Sequence, residues 1–497
     1  MTPGTSTSTE PVAEPDSQQP QTSLTVYSSA DPRAFDPQDI VSRQRAAYDA
    51  IHAGQIPGFG LVRQTRPLEL KAGTSEVLFT DVASFIDPTT VRFDDLTDPS
   101  TTVLEQSFQF DLVSPAKLYE KHLGRVVTVE VAMGQAVVSV RGTLLAFDRA
   151  EFVLQTAEGV RVLPAERAQV QLGELPGGLL TRPTLVWKLD AGSGGTHQVR
   201  TTYRTGCMTW RADYTLLLDE SDTSADLSAW VTLLNMSGAS FKGAQLKLVA
   251  GDTHQVTPRG SYPVAMMRAE VQDLSPGFQE KPLFEYHLYT LPRTTDVLAN
   301  TSLQIALFPP KPAVKVEKLL VLPRWWDGWS SPEPMLDRNW GVGQQQKVGV
   351  FIRLENTEDD GLGLPLPRGK IRVFKRDVAD GNPEFVGEDV IDHTPHNGIV
   401  VIKLGDAFDL TAERTQTDFT VDTVRRTMSE SWRIVLKSGK TQDQVVEVRE
   451  PLSRWIQWEL VRKNLEFTRL DARSVCFKPT VPARGEAVVE YTVRYTW

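Results

Sequence analysis

The densest set of chemistry-bearing side chains is Gly387-Glu-Asp-Val-Ile-Asp-His-Thr-Pro-His396, which places Glu388, Asp389, Asp392, His393 and His396 within nine positions. Carboxylates and neutral imidazoles are the ligands of hydrolytic metal sites, and a histidine beside a carboxylate is also how a general base is oriented. Glu388, Asp392 and His393 are therefore the candidate metal set, with a metal-dependent hydrolase as the activity they would support. Asp252 with His254, and Glu285 with His287, repeat the pairing at i and i+2. On a strand that spacing puts both side chains on one face. If those strands were neighbours, a site of two histidines and two carboxylates would assemble. The competing reading is a turn: Asp392 and Thr394 are natural turn residues, Pro395 fixes the bend, and the histidines bond to nearby backbone.

Other catalytic signatures are missing. There is no Gly-x-Ser-x-Gly elbow, His-Glu-x-x-His helix or phosphate-binding glycine loop, and Gly361-Leu-Gly363 has Leu366 where a dinucleotide turn needs its third glycine. Cys207 and Cys476 are the only cysteines. Cys476, flanked by Val475 and Phe477, reads as a buried strand residue, and Cys207, with no adjacent histidine or basic helix end to activate it, reads as non-nucleophilic. Trp210, Arg211 and Asp213 can form a guanidinium stacked on indole with a carboxylate partner, more a lock for the fold than a site.

Two features point to binding instead. Residues 323 to 340 hold Trp325, Trp326, Trp329 and Trp340, four of the eleven tryptophans. Exposed, such aromatics would anchor a protein partner, a second subunit or a glycan; folded back, their indoles would cover the open end of a sandwich. The second feature is a helix over residues 37–53, capped by Asp36 with Pro37 at its first position and closed by Gly54. Its stripe includes Ile40, Tyr48 and Ile51, a candidate docking face.

The elements that must position these residues are almost all strands. Residues 1–22 read as a disordered tail and 23–121 as an N-terminal β region carrying the helix; a short helix after Ser114 is also expected. Residues 122–175 have the short, evenly spaced strands of a small SH3-like or Sm-like barrel. Residues 176–345 form a central antiparallel β domain, with 258–282 irregular. Residues 346–497 form a C-terminal β region ending in an immunoglobulin-like sandwich, where Tyr491-Thr-Val-Arg-Tyr-Thr-Trp497 alternates strictly. The fold class is thus all-β and multidomain, with antiparallel sandwiches, the small barrel and one or two short helices.

Composition narrows the function further. The 497 residues carry 53 Lys+Arg against 63 Asp+Glu, a formal charge of −10, with no basic run, which argues against nucleic-acid binding. No apolar stretch is long enough for a membrane helix, and the N-terminus lacks the apolar core of a secretion signal, so a cytoplasmic location is expected.

The succession Leu104 to Pro115, Arg182 to Trp187, Thr209 to Tyr214, Lys247 to Asp252, Phe284 to Tyr289, Gly361 to Pro367 and Val390 to Pro395 resembles a bacterial family of uncharacterised β-rich proteins related to the mucoidy-inhibitor-like group. The resemblance runs from about Leu24 to Trp497. It implies a β-rich body and, for many members, the periplasm or cell envelope, but no reaction and no catalytic residues. This sequence departs from the pattern in lacking a signal and in its inserted helix. The expectation is a non-enzymatic interaction or scaffold protein without cofactor, binding a protein partner or itself, with the hydrolase and glycan readings as alternatives.

Overall fold

The computed structural model describes residues 21–28, 30–33, 35–37, 39–40, 42, 56–109, 115–133, 136–166, 168–173, 182–250, 279–283, 286–323, 333–342 and 347–497. Strands dominate, and the sheets pack as β-sandwiches. The sequence dictates this locally. Met208–Leu218 and Ser224–Asn235 send alternate side chains to opposite faces, and apolar residues on one of those faces must find a second layer.

That layer is a seven-stranded sheet in which Gln21–Ser28 lies between Phe59–Leu70 and Phe241–Ala250. The first pairing is antiparallel and the second parallel, with Ser23 opposite Gln245 and Ser28 opposite Ala250. Facing it is the central sheet, ordered Thr301–Lys315, Ser224–Asn235, Met208–Leu218, Gly369–Arg376 and Pro383–Ile391. Trp210 seals the sandwich: fully buried, it donates its indole N–H to the carbonyls of Val26 (3.1 Å) and Val249 (3.3 Å) across the layer. The central strand Met208–Leu218 runs parallel to Gly369–Arg376, and a Cβ at Gly369 would collide with the carbonyl of Ala212. Only glycine permits that approach.

Three strands of the seven-stranded sheet turn a corner into a three-stranded sheet of Gly73–Thr80, Thr184–Ala191 and Thr102–Gln109. Trp187 fills the corner, its ring 5.2 Å from Phe79 and 5.0 Å from Phe93. Gln109 and Thr184 are paired across this sheet, so the chain departs and returns at one place. Between them sits a small unit with its own core of Val127, Val129, Leu144 and Leu154. The sequence predicts a closed small barrel here, but among the described residues the edge strands Ala168–Gln171 and Gly159–Pro164 of the unit's five-stranded sheet are not paired with each other, so the sheet is open. The helix Pro115–Lys121 belongs to the same unit, because Tyr119 packs edge-on against Phe147 and Phe152.

The expected boundary between N-terminal and central domains does not divide the core. One apolar cluster runs from Leu24 through Trp187 and Leu246 to Ile402. A second core holds the C-terminal part, where a nine-stranded sheet gathers Leu320, Val348, Trp432, Phe477, Tyr491 and Tyr495. Residues 258–282 are not irregular throughout: Gln279–Leu283 is a strand on Tyr286–Val297, and 251–278 lie outside the described residues.

Candidate functional site

The two faces of the central sheet differ. Trp210, Ala212, Tyr214 and Leu216 point into the sandwich, so Arg211, Asp213, Thr215 and Leu217 point to the other side. Register then fixes their neighbours. Asp213 stands opposite Trp230 on one side and Lys370 on the other; Arg211 is opposite Thr232; Arg372 is opposite Thr215 and Glu388; Phe374 is opposite Leu217 and Phe385. Strands far apart in sequence thus assemble one outer face.

Its polar half is a chain of ion pairs. Asp213 Oδ2 accepts from Arg211 Nε (3.2 Å) and Thr232 Oγ1 (2.7 Å), and its Oδ1 lies 3.6 Å from Arg372 Nη1. Arg372 and Lys370 each reach Glu388 at 3.4 Å. Arg211 also donates to the carbonyl of Phe35 (3.1 Å), so the segment around Phe35 covers that end. Beside Asp213, Trp230 is 44% exposed; toward the other end the face is aromatic, with Phe385 56% exposed and the rings of Phe374 and Phe385 meeting edge-on at 5.7 Å.

The candidate metal set is not assembled. Glu388 is held by Lys370 and Arg372, and Asp392 projects to solvent with Arg368 Nε at 3.6 Å. His393 Nδ1 accepts the backbone N–H of Arg368 (3.0 Å), and Leu366 bridges Thr394. This is the turn reading of that segment. Among the described residues, no group of three His, Cys, Asp or Glu side chains is placed to hold a metal ion. Asp252, His254 and Glu285 lie outside the described residues.

The tryptophan stretch divides in the same way. Trp325, Trp326 and Trp329 lie outside the described residues; Trp340 is folded back, donating its indole N–H to Ser453 Oγ (3.3 Å). Two buried arginines hold its backbone. Arg454 donates to the carbonyls of Met335, Asp337, Arg338 and Trp340, and Arg414 donates to Gly341. Each arginine has a buried glutamate and tyrosine: Arg454 with Glu430 and Tyr495, Arg414 with Glu450 and Tyr491. Burial works against the charge on Arg414, but Glu450 outweighs it and raises its pKa.

No family model matches this chain. A search of curated proteins also finds no match.

Of the helix 37–53, Pro37, Asp39, Ile40 and Ser42 are helical, while Tyr48 and Ile51 lie outside the described residues. Ile40 packs against Phe35, Ile56, Cys207, Leu234 and Met236, so it serves the body of the protein and not a free docking face. Cys207 is fully buried there, and burial pushes its thiol up to about 11. A neutral, enclosed thiol is a poor nucleophile.

Sequence reasoning missed Trp230, Phe374 and Phe385. The signal was present in Leu227-Ser-Ala-Trp-Val-Thr-Leu233, where Trp230 occupies a position alternating with Ser228 and Thr232. An aromatic in the polar register of a half-buried strand marks an exposed ring. The arrangement is suited to recognition. Its carboxylates, Asp213 and Glu388, are neutralised by cations, which leaves neither as an unpaired general base.

Proposed function

We propose that this chain is a non-enzymatic β-sandwich interaction protein that docks a protein partner on the outer face of its central sheet. The observation that carries the reading is Trp230, 44% exposed beside an ordered ladder of charged pairs and on the same face as Phe385. Large aromatics contribute binding energy out of proportion to their area, and flanking charges fix register and exclude wrong partners. Arg372, Lys370 and Glu388 are already paired with one another, so the face presents both signs of charge without a large net field. A partner surface of alternating charge around an apolar pocket fits it.

The test is affinity capture from source cells with the full chain and with a Trp230→Ala/Phe385→Ala variant. Both side chains are substantially exposed, so the variant is expected to melt close to the parent while losing its partner. Retention of the same partner by the double variant overturns this site. Fractionation of the same cells tests location, for which the family resemblance offers the envelope and the sequence the cytoplasm.

A further inference from the structure

Phe408 is the most exposed large apolar side chain among the described residues, at 97%. The strand Ile399–Asp422 pushes it out. Asp406 stands opposite Gly349 and Thr411 opposite Lys347, so five positions of this strand run against two of its neighbour, and the surplus bulges from the sheet. Ala407 packs against the second core, which sends Asp406 and Phe408 to the opposite side.

On that side lies a hollow of about 270 Å³, at the seam between the central sheet and the nine-stranded sheet. Leu218 and Val386 line it from the first sheet, and Val350, Ile352 and Leu404 from the second. An apolar cavity of roughly 150 Å³ accepts a benzene ring, so this one has room for a phenyl group. Its own Phe408 does not enter, as the exposure of that ring shows. At the rim Asp222 and Asp406 stand with Lys318 and Lys375, so the charges of the lining cancel.

A ring and a hollow on one surface are what a two-fold pair requires. In such a pair the same patch meets itself, and each ring must reach the other chain's hollow across the axis. Asp406, on the rim, is two residues from Phe408, about 7 Å along an extended strand. That short offset lets both rings engage within one interface. A rim of a single sign would repel its own copy, whereas this one offers an acid for each lysine.

We propose that two copies of this chain associate about a two-fold axis, with the Phe408 ring of each seated in the hollow of the other. The inference is independent of the docking face, since the two surfaces share no residue: Phe385 belongs to that face and Val386, next to it, to the hollow.

Sedimentation equilibrium of the full chain tests it. The parent is expected to show a monomer–dimer equilibrium over roughly 1 to 100 μM. Phe408→Ala removes two seated rings per dimer and is expected to raise the dissociation constant about a hundredfold or more. Val386→Trp fills the hollow and is expected to prevent self-pairing. An equimolar mixture of the two variants restores one ring in one hollow, so it should associate more tightly than either alone. Melting curves that match the parent separate lost pairing from lost fold. A parent that stays monomeric throughout overturns the proposal, as does a dimer unchanged by Phe408→Ala or by Val386→Trp, or a mixture no tighter than its components. Phe408-dependent binding of a monomer to phosphatidylcholine vesicles would assign the ring to a membrane and overturn it as well.

Discussion

The guanidinium of Arg454 spends its whole donor capacity inside the protein. Its Nε reaches Glu430 at 2.7 Å, and its Nη atoms reach four carbonyls of the segment Met335 to Trp340. Lysine has fewer donors and no planar fork, so Arg454→Lys strands several buried acceptors. The expected loss is about 3 kcal/mol, read as a lower denaturant midpoint with an unchanged slope. Equal midpoints would show the clamp to be dispensable. Asp222 gives a pH-dependent counterpart. Burial pushes its carboxyl up, but Lys318 and Lys375 overcome that and hold it below the usual value. The folded pKa is depressed, so the stabilisation is complete above the unfolded value of about 3.9 and is lost as pH falls through the folded one. Asp222→Asn should therefore cost about 2 kcal/mol at pH 7, with the difference from the parent closing below about pH 4. A difference that grows toward acid would contradict the assignment. Cys207 supplies a simple check of burial: native protein at pH 8 should resist thiol reagents there until unfolded.

Elements were legible where one face is buried and the other wet. Glu486–Thr496 alternates in sequence and in burial, and pairs with Thr427–Ser438 along its length, as Trp432 opposite Tyr491 shows. Deleting residues 486–497 exposes the second core and should abolish soluble expression; a soluble, cooperatively melting product would refute that. The helix at Pro115 was legible from its proline and preceding serine. What sequence could not supply was pairing. Trp230 becomes informative only when Asp213 is known to stand beside it and Lys370 one strand further on, and Lys370 lies 140 positions away in the chain. Glu388 and His393 look like ligands because they are close in sequence, but proximity there is not convergence: Glu388, on the edge strand Pro383–Ile391, meets two cations, and His393, beyond its end, meets a backbone N–H. The composition of a cluster does not encode which face each member takes.

At the scale of the molecule, the inserted unit behaves as a module. It enters after Gln109 and exits before Thr184, positions already paired, and its apolar cluster is distinct from the main core. Replacing residues 111–181 with a short Asn-Gly hairpin should leave the remaining protein folded, since two-residue turns close such strands directly. Dispersed amide NMR signals and one retained melting transition are the expected result, and a molten product would show that the unit supports the core.

The parallel pairing of Ser23–Ser28 with Gln245–Ala250 sets a schedule for the ribosome. The first strand can meet Phe59–Leu70 early, but its other flank waits for a segment made roughly 220 residues later, which at typical elongation rates is about 10 to 45 s. Throughout that interval the nascent chain carries an open strand edge beside Leu24 and Val26. Codons that slow the synthesis of residues 70–240 should therefore increase aggregation without altering the finished protein.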